Sequence, residues 1–131
     1  MKEVIFTNKA PAAIGPYSQA VKVGNLLFIS GQLPVDPATS ELVQDTIQAQ
    51  AACSLTNIKS ILEQAGGTMD NVVKTTVFLK NMDDFDELNR VYEMFFTADH
   101  PSRSAVQVAK LPKNALVEVE AIAILQTAAK I

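Results

Sequence analysis

Leu116-Val117-Glu118-Val119-Glu120-Ala121-Ile122-Ala123-Ile124-Leu125 is the stretch whose reading decides the fold. It contains no Gly or Pro and reads as one long strand. Side chains alternate along a strand. Val117, Val119, Ala121 and Ala123 therefore share one face, and Leu116, Ile122 and Ile124 share the other with Glu118 and Glu120. Both faces are apolar for much of their length, so both are expected to be covered.

Two neighbouring segments can cover one face. Thr46 to Ala65 carries apolar residues Ala51, Leu55, Ile58, Leu62 and Ala65 at steps of four and three, the spacing of one helical face. Asp45 is the expected N-cap, with Gln48 closing a capping box, and Gly66-Gly67 ends the helix. Asp83 to Phe96 forms a second helix with the stripe Phe85, Leu88, Tyr92 and Phe95, and its acidic first turn suits a helix N-terminus. Strands are expected at Val4 to Phe6, Gln19 to Val23, Leu26 to Ser30, Asn71 to Leu79 and Ser104 to Val108. Gly24-Asn25 is a candidate hairpin turn. The order β-β-β-α-β-α-β-β predicts an α+β domain over residues 1–131, one sheet with both helices packed on one face. The second apolar face then implies burial in an oligomer.

Composition narrows the functions. The chain has 131 residues, 48% apolar and 19% charged, which suits one globular domain. Its net charge is −3, and its 11 Lys and Arg are scattered. Nucleic-acid binding, which needs a basic footprint, is disfavoured. One Cys and one His exclude an intramolecular disulfide and any site built from several thiolates or imidazoles. The chain start lacks the apolar run of a signal peptide, and no apolar stretch is long enough for a membrane helix. The cytoplasm is the expected address.

Each candidate site residue has a plain alternative. Glu118 and Glu120 are carboxylates on an otherwise apolar strand face, which suits either acid/base chemistry or a solvated ion pair. Arg103 offers the planar fork that matches a carboxylate, yet a surface salt bridge explains it as well. Tyr17 and Ser18 follow the Gly15-Pro16 turn. Ser30-Gly31 ends a strand, where glycine allows close approach of a ligand or merely a chain reversal. Asn89 sits beside the stripe of the second helix, as a solvated or partnered amide. Cys53 reads as packing or surface and His100 as a solvated loop residue. No phosphate loop, dinucleotide motif or metal-binding helix motif is present.

Several stretches together closely resemble the Rid family, formerly called YjgF. The longest is Pro101 to Val119, PSRSAVQVAKLPKNALVEV. Ala10 to Ala20 (APAAIGPYSQA), Ser30 to Pro34 (SGQLP) and Val73 to Leu79 (VKTTVFL) match three more of the family's motifs in order. The chain is most similar to the RidA subfamily of imine deaminases. The resemblance implies a chorismate-mutase-like α+β fold and a barrel-like homotrimer with helices outside and clefts between subunits. It places the family's carboxylate-binding arginine on Arg103 and its water-positioning glutamate on Glu118. Tyr17, Ser30, Gly31 and Asn89 fall on cleft-lining positions. Many relatives carry a cysteine two residues after the arginine. Here that residue is Ala105, so a thiol mechanism is ruled out, although the Ala105 backbone can still meet the substrate.

The expected reaction is hydrolysis of 2-imino or enamine acids, such as 2-iminopropanoate and 2-iminobutanoate, to 2-oxo acids and ammonia. Arg103 would hold the carboxylate, Glu118 would activate a water also held by the Gly31 carbonyl, and Tyr17 would close the cleft. No cofactor is expected, because the imine carbon is already electrophilic. The expected substrates are imines released by pyridoxal-phosphate enzymes, whose removal protects other enzymes from damage. Two alternatives stay open: a regulatory module binding 2-imino or 2-oxo acids without turnover, and an endoribonuclease or translation inhibitor, an activity ascribed to some relatives. A chaperone-like role has no sequence feature behind it.

Overall fold

A computed structural model of the chain describes residues 1–126. The strands are β1 (Lys2–Ile5), β2 (Ala20–Val23), β3 (Leu26–Gln32), β4 (Val35–Asp36), β5 (Glu41–Leu42), β6 (Val72–Leu79), β7 (Ser102–Gln107) and β8 (Val117–Ile124). The helices are α1 (Ile47–Gln64) and α2 (Phe85–Phe95). The expected α+β architecture is what forms. Six strands make one sheet in the order β1-β2-β3-β8-β6-β7, antiparallel except for the parallel β6–β7 pair. The β6-α2-β7 crossover makes that pairing possible, because parallel neighbours need a connection long enough to return the chain.

Both helix ends follow local chemistry, with one correction. The N-cap of α1 is Thr46, whose hydroxyl accepts from the Ala49 N–H at 3.2 Å, and not Asp45. Gln48 makes no capping box; its amide donates to Glu87 on α2 at 3.0 Å, tying the two helices together. Gly66 follows the helix at φ 89°, a conformation that costs glycine little. Gly24 turns the β2–β3 hairpin at φ 60°. A single-turn 3₁₀ segment, Met82–Asp84, precedes α2, so that helix begins later than its acidic run suggests.

Strand β8 sits in the middle of the sheet, between β3 and β6. Val117, Val119, Ala121 and Ala123 are buried on the helix side, with Leu27, Ile29, Val77 and Leu79 from its neighbours and Leu55, Ile58, Ile61 and Leu62 from α1. Among the described residues nothing covers the opposite face. Val4, Val23, Leu26, Phe28, Val106 and Ile124 lie there exposed. An apolar surface of that extent on one side of a sheet is characteristic of an association surface. The order expected from the sequence lacked one element: β4 and β5 form a separate small hairpin between β3 and α1. Strands of two residues leave no periodic signal to read.

Candidate active site

The register between β3 and β8 slips at one place. Ile29 faces Ala121 and Gln32 faces Val119, so Ser30 and Gly31 together oppose Glu120. This is a β-bulge, which bends a strand and re-aims its side chains. Within it Ser30 is held firmly: its N–H donates to the Gln19 carbonyl at 2.9 Å and its hydroxyl to the Ser18 carbonyl at 2.6 Å. Gly31 lies directly against Glu118. A Cβ on Gly31 would stand 2.5 Å from Glu118 Oε2 and 2.9 Å from its Cδ. The glycine therefore serves close approach of the carboxylate, and its φ is not in the left-handed region.

Glu118, Gly31, Ser30 and Tyr17 line one open cavity of about 720 Å³, whose walls also include Glu120 and Lys113. Glu118 is half-buried and makes no ion pair; among the described residues the one salt bridge is Arg90 with Glu87. Burial, and then the like charge of Glu120, raise the Glu118 pKa above the ordinary carboxylate value. A carboxyl group so placed is suited to exchange protons with a ligand or water in the cavity. Tyr17 stands at the mouth, 53% exposed, with its hydroxyl accepting from the Ile14 N–H at 3.3 Å.

Arg103 lies inside β7, one residue past the strand's start, where the sequence reading had put the strand's first residue at Ser104. Its register partner is Thr75, so it points to the helix side. There its Nη1 donates to Asn89 Oδ1 on α2 at 2.8 Å. Its guanidinium carbon lies 4.8 Å from the Tyr92 ring centroid and 5.3 Å from that of Phe85. Such contacts hold the planar fork in one orientation. The Tyr92 hydroxyl is itself fixed by a 2.7 Å hydrogen bond with the buried Thr75 hydroxyl. Among the described residues no carboxylate forms a salt bridge with Arg103. Asn89, Tyr92 and Arg103 line a second, smaller pocket of about 390 Å³ together with Glu93, His100 and Pro101.

The resemblance implies that Arg103 and Glu118 meet in a cleft between subunits. Within one chain they are not joined. Glu118 pairs with Phe78 on the uncovered face, and Arg103 pairs with Thr75 on the helix face. The predicted residues thus fall into two groups: Tyr17, Ser30, Gly31 and Glu118 in one cavity, Arg103 and Asn89 in the other. Ala105 lines neither pocket and lies two residues beyond Arg103 on β7, on the same face. Its side chain packs against the core, and because the Val108 N–H donates inward to the Leu79 carbonyl, alternation turns the Ala105 N–H and C=O toward the free edge of β7.

Cys53 behaves as its surroundings on α1 dictate. Burial, then the charge of Asp36, push its thiol up to about 11, so it is a protonated packing residue. His100 is exposed in its loop. Among the described residues no cluster of His, Cys, Asp or Glu could hold a metal ion, and no helix is long and apolar enough to cross a membrane.

Two contributors escaped the sequence reading. Tyr92 was visible only as part of an apolar stripe, which says nothing of a ring stacked under a guanidinium. Gln19 was visible only as the start of a strand. It is buried and clamps the N-terminal loop: its Oε1 accepts from the Thr7 N–H at 2.8 Å, and its Nε2 faces the carbonyls of Thr7, Ala10 and Pro11 at 2.8 to 3.2 Å. That clamp holds the segment leading to Tyr17. Its position inside the Ala10 to Ala20 motif was the one available signal.

Comparison with known proteins bears on this arrangement. The family model described as endoribonuclease L-PSP matches residues 7–125. A RutC family protein of Pyrococcus abyssi is 54% identical over 93% of this chain and 96% of its own length. A protein of Escherichia coli K12 named 2-iminobutanoate/2-iminopropanoate deaminase is 51% identical over 95% of this chain and 98% of its own. The crystal structure of Escherichia coli TdcF with bound serine superposes with a TM-score of 0.91 at 46% identity, covering 95% of this chain and 99% of that one. The chain accordingly belongs to the endoribonuclease L-PSP family, the same YjgF or Rid family that its four motifs resemble.

Proposed function

We propose that this protein hydrolyses 2-imino acids to 2-oxo acids and ammonia, in clefts completed between copies of a homotrimer. The observation that carries the reading is the pair of unsatisfied charges. Arg103 presents an oriented, unpaired fork on one face of the sheet, and Glu118 presents an unpaired carboxylate of raised pKa on the other. A face-to-face arrangement of copies, burying the apolar side of the sheet, would bring the two groups toward one ligand. The 51% identity to a protein named for this deaminase activity supports the choice of reaction. The serine bound by TdcF supports an α-substituted carboxylate as the ligand class.

In this mechanism the Arg103 guanidinium binds the substrate carboxylate through two charge-assisted hydrogen bonds. That contact fixes the imine carbon. Ionised Glu118 holds a water and takes its proton as the oxygen attacks that carbon. The substrate enters as the iminium, so its C=N electron pair moves to nitrogen and leaves a neutral amine. Protonated Glu118 then returns its proton to the amine of the resulting carbinolamine. The C–N bond breaks and ammonia leaves as the hydroxyl passes its proton to the Glu118 carboxylate and the carbonyl forms, and Glu118 releases that proton to solvent. Ala105 contributes backbone groups only. The imine needs no further activation, so positioning supplies most of the rate enhancement. Removing such reactive imines, which pyridoxal-phosphate enzymes release, would protect other enzymes, and the cytoplasm is the compartment proposed for this role.

The test generates 2-iminopropanoate or 2-iminobutanoate in situ with an amino-acid oxidase and follows the semicarbazide adduct. The protein is expected to reduce adduct formation, and Arg103→Ala to abolish the effect while the fold and assembly persist. A folded, assembled Arg103→Ala protein with full rate would sink the assignment. Ligand binding without turnover would select the regulatory reading instead.

A further inference from the structure

The buried polar residues of α1 do not belong to its apolar stripe, and the mechanism above does not use them. Gln50 is 1% exposed and Asn57 2% exposed, both on the core side of the helix. Each reaches out of the helix to a loop backbone. Gln50 Oε1 accepts from the Leu116 N–H at 2.8 Å. Asn57 Nδ2 donates to the Val35 carbonyl at 3.0 Å and the Leu33 carbonyl at 3.2 Å.

Leu33 and Val35 line the Glu118 cavity directly, just past the Ser30-Gly31 bulge. The loop that leads to Leu116 lines it through Pro112 and Lys113. Leu116 lies two residues before Glu118, and its carbonyl is also held, by the Lys80 N–H at 2.9 Å. The backbone that enters β8 is therefore fixed on both sides. Gln50 and Asn57 are two helical turns apart, so their anchors are about 10 Å apart along a rigid rod. Ligand-binding loops are otherwise drawn from the least stable parts of a fold. Here the distance between the walls is tied to a helix in the core.

We propose that Gln50 and Asn57 are positioning residues for Glu118: from one helix they hold the two cavity walls at the separation that keeps the carboxylate against Gly31. This rests on the reading of Glu118 as the group that activates water. It differs from a purely structural role, because losing either anchor should change the setting of Glu118 more than it changes the stability of the fold.

The test has two readouts. Gln50→Met keeps the side-chain length and removes the acceptor. Asn57→Leu keeps the volume and removes the donor. Each is expected to lower kcat about tenfold with KM nearly unchanged, as a misplaced catalytic group does. The Glu118 carboxyl resonance, followed by carbon NMR across a pH titration, is expected to move toward the ordinary carboxylate midpoint as water enters. Glu120 and Lys113 are the other charged groups on that cavity, and their titrations are read alongside. Ile58→Val, a cavity at a fully buried residue of the same helix that lines neither pocket, is the control and should change neither readout. Gln50→Glu, protonated when buried, retains an acceptor for Leu116 and should recover most of the rate.

Folded Gln50→Met and Asn57→Leu proteins with normal kcat and an unmoved Glu118 midpoint overturn the proposal. So does a folded Gln50→Glu protein whose kcat is itself lowered about tenfold or more, a comparison with the native rate that holds even if the methionine variant fails to fold. If the native protein hydrolyses no imine, the functional reading fails, and the Glu118 midpoint still decides the positioning role.

Discussion

Two inactive variants of this protein should regain activity when assembled together. Arg103 faces the helix side of the sheet and Glu118 faces the uncovered side, so neither pocket of a single chain holds both groups. In a closed ring each complete site would take Arg103 from one copy and Glu118 from the next. Arg103→Ala and Glu118→Gln are each expected to lose most of the rate. When the two are unfolded and refolded in equal amounts, copies mix at random. A site is intact when the copy supplying the arginine is the Glu118→Gln chain and the copy supplying the glutamate is the Arg103→Ala chain. Each condition holds about half the time, so about one quarter of the sites are restored, whatever the ring size. The assay is imine loss by semicarbazide trapping, with the two variants mixed after separate assembly as the control. That control should stay near the parental rates. A co-refolded mixture no faster than the average of its parents would refute the shared site.

Further predictions concern single groups. Gly31→Ala should fold, because the residue is not at a left-handed φ, yet its Cβ would displace the Glu118 carboxylate. A loss of kcat of about 10- to 100-fold at unchanged melting temperature is expected, and a fully active variant would contradict the close-approach role. Glu118 has a folded-state pKa raised mainly by burial and then by Glu120. Its ionisation thus weakens the fold as pH rises from the unfolded pKa through the folded one. Glu118→Gln should therefore raise the melting temperature at neutral pH and leave it unchanged below the ordinary carboxylate pKa, and calorimetry at two pH values checks this. The acid limb of kcat should likewise lie above that ordinary value and fall when Glu120 becomes Gln. Tyr92→Leu removes the ring under the Arg103 guanidinium. A contact of about 1 kcal/mol would appear as a rise of about fivefold in KM with a smaller change in kcat, whereas an unchanged KM would show that Asn89 alone orients the fork.

The elements that local pattern could specify were legible from the start. Helical spacing from Ala51 to Ala65 and strand alternation from Leu116 to Leu125 are properties of nearest neighbours in the chain, and both elements formed within a residue or two of the expected bounds. The doubly apolar central strand announced an uncovered sheet face, which exists. The family motifs named Arg103, Glu118, Tyr17, Ser30, Gly31 and Asn89 as residues of interest. What they could not convey was arrangement. The β3 bulge that sets Gly31 against Glu118 arises from a register slip between strands far apart in sequence. The opposite facing of Arg103 and Glu118 follows from which residues β6 pairs on its two sides. The buried amides Gln19, Gln50 and Asn57 look like ordinary polar residues until the backbones they hold are brought beside them. Sequence by itself determined the elements and the chemical groups, because periodicity and side-chain type are local. Only tertiary structure decided that the groups stand in two separate places on opposite faces of one sheet, because facing depends on pairing across the fold.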